Sequence, residues 1–252
     1  MCPAGRQKGK SSICMYTFDS RIRFSEVDVN RKLSTEGLID YFQDCSTFQS
    51  EDLGVGFGYL VPRRLAWIIN YWEIEIDRMP ALAERVRIGT SPYLMRGFMG
   101  QRNFWMETPG GERLAAANSV WTLLNIDTQY PERVPDEVRD KYVTSPKIEM
   151  TYSPRKVKIP EGIAPHYGES IHVMPFHLDT NGHMNNAQYV HIATDCLPEG
   201  SALSRLRVEY KKQAKLGDLI TPMIFREEDK IYTIAMTGEE DKIYAVAQVF
   251  LR

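Results

Sequence analysis

Polar and apolar positions alternate in twos from Tyr16 through Phe18, Ser20, Ile22 and Phe24, the period of a half-buried strand. A different period follows. Leu38, Ile39, Phe42, Cys45 and Phe48 recur at three- and four-residue intervals, so one helical face is apolar, and Ser34-Thr35-Glu36 supplies the start signal. Four strand-like runs then come in series, over residues 65–76, 85–95, 97–107 and 113–126. The turn Thr108-Pro109-Gly110-Gly111-Glu112 makes a hairpin of the last two. A long helix followed by an antiparallel meander predicts an α+β unit with the helix lying on the sheet. Gly54, Gly56 and Gly58 end the helix in a flexible loop, and because they do not follow a strand they are no nucleotide fingerprint.

Residues 127–165 break the pattern. Pro131, Pro135, Pro146, Pro154, Pro160 and Pro165 recur among charges, the composition of a connector that crosses the surface. The earlier order then returns: a short strand over 172–176, a polar loop, a helix from about 186 to 197, and strands over 206–210, 219–226, 230–236 and 244–251. Asp28, Asn30, Asp44 and Cys45 are matched by Asp179, Asn181, Asp195 and Cys196, each 151 residues later and each in the same element. This is an internal duplication. The expected organisation is a tail over 1–12, an N-terminal domain over 13–130, a linker over 131–165 and a C-terminal domain over 166–252. Lys32 stands where the second copy has His183, so a titratable base is present in one copy only, which leaves the other for a task such as lining a pocket.

Composition narrows the class. The chain has 252 residues, 43% apolar and 25% charged, enough for one large core or two small ones. A net charge of −2 gives no global basic field for nucleic acid or an anionic membrane. Cys2, Cys14, Cys45 and Cys196 form no CxxC pair, so neither a zinc knuckle nor a redox motif is indicated, and a reducing, cytoplasmic compartment is expected. The basic start lacks the apolar segment of a signal peptide, no run approaches membrane-spanning length, and the chain reads as soluble without membrane insertion.

The chemistry concentrates in the ten residues from His177 to Asn186. Asp179, Asn181 and His183 alternate, and in an extended loop they project to one side. Asn185 or Asn186 is a natural N-cap for the following helix, whose positive end can meet an anionic oxygen. Hydrolysis needs a positioned water, a proton acceptor and donors for the oxyanion. Histidine is the side chain whose unperturbed pKa lies near neutrality, which makes His183 the natural base; Asp179 can fix its tautomer or bind the water, and Asn181 can hold the water or the carbonyl. The competing reading is an ordinary cap and turn. His172, His177 and His191 lack a recognisable metal-ligand spacing.

These residues resemble a known family. Asn181-Gly182-His183-Met184-Asn185-Asn186, preceded by Asp179, is similar to the N-x-H-x-N-N signature of acyl-acyl carrier protein thioesterases. The run Tyr189 to Pro198, the basic strand Leu206-Arg207-Val208-Glu209-Tyr210-Lys211-Lys212, the early Phe24-Ser25-Glu26-Val27-Asp28 and the strand between Arg63 and Trp72 are similar as well. The resemblance implies an α+β tandem hot-dog fold, each half a long helix packed on a curved antiparallel sheet. It implies hydrolysis of fatty acyl-acyl carrier protein to free fatty acid, with no metal or organic cofactor and with acyl carrier protein as partner, the enzyme being a monomer or homodimer. It carries catalytic roles onto Asp179, Asn181 and His183. The family's further carboxylate and adjacent Cys fall on Gln213 and Ala214, which excludes a Cys nucleophile there and leaves Gln213, a hydrogen-bonding but not proton-accepting group, as the candidate facing the site. Trp67, Ile69, Met95, Phe98 and Trp105 are candidates for an apolar acyl pocket. Lys211, Lys212 and Lys215, with Arg205 and Arg207 nearby, are candidates for docking the acidic carrier. A non-catalytic acyl-binding module and a hydratase acting on the acyl chain remain the alternatives.

Overall fold

The computed structural model describes residues 15–252; the tail expected over residues 1–12, and Cys14, lie outside the described residues. The first half contains β1 (Tyr16–Arg21), α1 (Thr35–Asp52), the single-turn α2 (Phe57–Leu60), β2 (Leu65–Ile76), β3 (Arg85–Arg96), β4 (Met99–Glu107) and β5 (Arg113–Asn125). A connector carries α3 (Asp136–Arg139). The second half contains β6 (His166–Tyr167), β7 (Ile171–His172), α4 (Asn186–Asp195), β8 (Leu203–Tyr210), β9 (Leu219–Glu228), β10 (Ile231–Thr237) and β11 (Ile243–Leu251).

The strands form one sheet in the order β1-β3-β4-β5-β2-β8-β11-β10-β9-β6, with β7 also on β9. Reading outward from the centre, β2-β5-β4-β3-β1 mirrors β8-β11-β10-β9-β6, so two units of equal strand order meet at equivalent edges. They meet antiparallel, Tyr71 to Glu75 against Glu209 to Arg205, and neither unit leaves that edge unpaired. α1 and α4 lie against each other. This is the tandem hot-dog fold.

The helices form where the capping chemistry permits. The Ser34 hydroxyl accepts the Gly37 N–H at 3.2 Å, and the Asn185 amide oxygen accepts the Ala187 N–H at 2.9 Å, each satisfying one orphan donor of a first turn. α1 buries Leu38, Ile39, Phe42 and Cys45. Phe42, Trp72 and Phe104 pack with ring centroids 5.0–6.1 Å apart, which ties α1 to β2 and β4.

The other face of the central seam is charged, with Glu73 buried and Arg205, Arg207 and Glu209 half-buried. Glu73 is fully buried and pairs with Arg205, and its carboxylate accepts the Ser153 N–H at 2.7 Å. Arg207 donates to the Pro154 carbonyl at 2.7 Å, and Glu209 accepts the Val157 N–H at 3.1 Å. The connector is thereby strapped across β2 and β8. Arg205 and Arg207 are committed to this strap and do not extend the basic segment of Lys211, Lys212 and Lys215. Removing one partner of such a buried pair costs about 3–5 kcal/mol.

Three local expectations differ. The alternation over 16–24 stops at Arg21, because residues 24–26 turn as a short 3-10 helix in which Glu26 accepts the Arg23 N–H at 2.8 Å. The strand expected over 172–176 is likewise cut to β7, which ends at His172, because residues 175–177 turn as a 3-10 helix in which His177 Nδ1 accepts the Met174 N–H at 3.0 Å. The glycine loop contains α2, started by Glu51, which accepts the Phe57 N–H at 2.7 Å.

Candidate active site at the second repeat turn

The segment from Leu178 to Met184 is a closed turn, not the extended loop that would align alternate side chains. Leu178 and Met184 bridge, the Asp179 N–H donates to the His183 carbonyl at 2.7 Å, and the Gly182 N–H donates back to the Asp179 carbonyl at 3.1 Å. Gly182 takes φ +73°, a left-handed conformation that glycine adopts without steric cost. Asp179 Oδ1 accepts the N–H groups of both Asn181 and His183, at 2.8 and 3.2 Å. The carboxylate therefore organises the backbone of the turn; it does not hydrogen-bond the His183 ring, which corrects the tautomer-fixing expectation.

Asp179 and Asn181 still share a wall. They line a cavity of ≈ 250 Å³ together with Thr180 and Asn186. The exposed Thr180 and Asn181 mark its open end. The rest of the wall comes from the first half: Gln43, Ser46 and Ser50 of α1, then Leu65 and Trp67 of β2, Met95 of β3 and Trp121 of β5. Its buried end carries Arg102 and Tyr142. The Arg102 guanidinium donates to Gln49 Oε1 at 2.9 Å and lies 5.5 Å from the Tyr142 ring centroid; burial holds its pKa below the usual arginine range. Of the expected pocket residues, Trp67 and Met95 line the cavity. Ile69 is instead in the core and Phe98 is exposed on the β3–β4 turn. Trp105 packs over Gly89, where a Cβ would collide with the indole.

His183 does not line the cavity wall. It is half-buried and bridged through its backbone to Lys215, while the Met184 N–H donates to the Ala214 carbonyl at 2.9 Å. Its ring Nδ1 is buried and makes no hydrogen bond among the described residues. The half-buried Gln213 lies on the segment that runs antiparallel to His183–Met184. Lys211, Lys212 and Lys215 are exposed, Lys211 pairing with Glu209 at 3.1 Å. Burial pushes the Cys45 and Cys196 thiols up to about 12 and about 11, so neither supplies a thiolate nucleophile near neutrality.

The sequence reading missed Gln43 and Arg102. The signal was present: Ser46 and Gln49 interrupt the buried face of α1 with polar groups, and Arg102 lies between Gly100 and Phe104 in the inward alternation of β4.

Known proteins can now be compared with this arrangement. Sequence models of the acyl-ACP thioesterase N-terminal and C-terminal domains match residues 14–142 and 163–249. An acyl-[acyl-carrier-protein] hydrolase of Cuphea viscosissima is 27% identical over 83% of this chain and 54% of its own length. An oleoyl-acyl carrier protein thioesterase of Arabidopsis thaliana is 25% identical over 86% of this chain and 64% of its own. The chain thus spans between half and two thirds of these relatives, both of which are chloroplastic. Among solved structures, an acyl-ACP thioesterase of Bacteroides thetaiotaomicron superposes with a TM-score of 0.85 at 20% identity, covering 94% of this chain and 98% of that one. The 12:0-ACP thioesterase of Umbellularia californica does so with 0.83 at 18% identity, covering 94% and 97%.

Proposed function

The chain belongs to the acyl-ACP thioesterase family, and from that membership we propose that it hydrolyses the thioester joining a fatty acyl chain to acyl carrier protein. The observation that carries the reading is the cavity, which begins at Asp179, Asn181 and Asn186 in the second half and continues into the first. An acyl chain lying inward against Trp67 and Met95 leaves its thioester at the turn.

In this mechanism a water oxygen attacks the thioester carbonyl carbon. His183 accepts the water proton, the carbon–sulfur bond breaks, and the proton passes to the departing thiolate, giving free fatty acid and thiol. Asp179 Oδ2, which accepts no hydrogen bond among the described residues, and the Asn181 amide orient the water or the carbonyl. Gln213 holds water from the adjoining segment but cannot take its proton. The exposed Lys211, Lys212 and Lys215 offer the acidic carrier a complementary surface, and Lys215 is the bridge partner of His183. No helix among the described residues is long and apolar enough to cross a membrane, and a cytoplasmic setting is part of the proposal.

The test is release of free fatty acid and carrier thiol from acyl-acyl carrier protein. Wild type is expected to release both, and His183→Ala to lose ~10²–10⁴ in rate while keeping its melting temperature. Normal turnover by the variant would remove His183 from the mechanism. Water added to the chain with the carrier still attached would replace hydrolysis by the hydratase reading.

A further inference from the structure

We propose that Gln43, on the long helix of the first half, is a positioning residue for the reaction of the second half; the inference rests on the thioesterase reading above. Gln43 and Asn186 line the cavity beside Asp179 and Asn181. Asn186 Nδ2 donates to Gln43 Oε1 at 3.3 Å, and Gln43 Nε2 reaches Asp40 Oδ1 at 3.5 Å. Because Asn185 caps α4, the Asn186 amide is not needed for the cap. Asn186 is instead gripped from two sides. Its main-chain carbonyl accepts the Tyr210 hydroxyl at 3.0 Å from within the second half, and its side chain is tied to the first half by Gln43. The second amide hydrogen of Asn186 is then held toward the reacting end of the cavity, where a thioester carbonyl can accept it.

The repeat supplies an internal control. At the constant spacing of 151 residues, Gln43 corresponds to Thr194 and Asn186 to Thr35. The equivalent crossing therefore pairs two threonines, and Thr194 turns away, its hydroxyl donating to the His191 carbonyl of its own helix at 2.9 Å. Instead, His191 faces Glu36 across that end at 3.4 Å. Of the two helix–helix crossings, the amide pair occurs at the one beside the cavity. The site is thus completed by a residue from each half, although the turn that carries the base belongs to one.

Steady-state kinetics on acyl-acyl carrier protein test this. Gln43→Ala is expected to lower kcat about 10- to 100-fold, the scale of a reacting group displaced by about an ångström, with KM within twofold. Gln43→Glu keeps the acceptor for Asn186 Nδ2 but sets a carboxylate against Asp40 in place of the amide donor, and is expected to recover part of the kcat that Gln43→Ala loses. Asn186→Ala combined with Gln43→Ala is expected to lose no more than the larger single variant, since both remove one coupled unit. An unchanged kcat, a rise in KM alone, or losses that multiply would each overturn the proposal while leaving thioester hydrolysis by wild type standing. Absence of hydrolysis by wild type would instead overturn the reading on which it rests. Should Gln43→Ala not fold, Gln43→Glu against Asn186→Ala carries the same comparison.

Discussion

At residues 28–33, Asp28 Oδ1 accepts the N–H groups of Asn30 and Lys32, both at 2.9 Å, and the Asp28 N–H donates to the Lys32 carbonyl at 2.8 Å. At residues 179–184 the same three bonds recur with Asp179, Asn181 and His183, at 2.8, 3.2 and 2.7 Å. Arg31 and Gly182 occupy the same left-handed corner, at φ +59° and +73°. What differs is the residue before the closing bridge, Lys32 against His183, and the surroundings, since only the second turn borders the cavity lined by the first half. Aspartate and asparagine are therefore explained by the turn in both copies, and their presence alone marks a fold. What sets the second copy apart is His183 and the cavity that its turn borders, and the proposed mechanism rests on those two.

The largest effect that separates the two turns comes from removing each aspartate. Asp28→Ala and Asp179→Ala both strip two backbone donors of their acceptor, and each is expected to lower stability by about 1 kcal/mol, a fall of about 2–4 °C in melting temperature. Only Asp179→Ala is expected to lower kcat, by about a hundredfold or more. Equal kcat in the two variants would make both turns structural. Next is the corner. Nothing lies within 4 Å of a Cβ built on Gly182, so Gly182→Ala meets only the left-handed backbone penalty of about 1 kcal/mol. Thermal melts should show that loss with kcat within about threefold, and Arg31→Gly should show no comparable loss.

The smallest effect is at the far helix crossing. Glu36 beside His191, with Asp195 adding to it, raises the His191 pKa above its ordinary 6.5. A raised folded-state value means that this contact stabilises fully below pH 6.5 and is lost as pH rises through the folded value. His191→Gln should therefore flatten the melting temperature across the neutral range, by about 1–2 °C for a half-exposed pair. A wild-type profile unchanged by the substitution would remove the contact from the stability account.

Much of this was legible in the chain. The pattern over residues 65–76 is β2 to the residue, and Ser34 caps α1 as its position indicates, because alternation and capping are local. The duplicated Asp and Asn disclosed the repeat for the same reason. What escaped was non-local. Periodicity does not state that β2 pairs with β8, so neither the continuous sheet nor the strap held by Arg205 and Arg207 could be foreseen. Ile69 and Phe98 looked like pocket residues by type, but Ile69 lies further along β2 than Trp67, inside the core, and Phe98 stands exposed in the β3–β4 turn beside Gly97. Gln43 belongs to the site only because α1 crosses the start of α4.

The most direct measurement exchanges the residues that distinguish the turns. Hydrolysis of acyl-acyl carrier protein is measured for His183→Lys, and for His183→Lys combined with Lys32→His. The account predicts that both are inactive and folded, because a histidine at the first turn has the same backbone frame and no cavity to serve. Recovery of activity in the double variant, or its retention in His183→Lys, would contradict it.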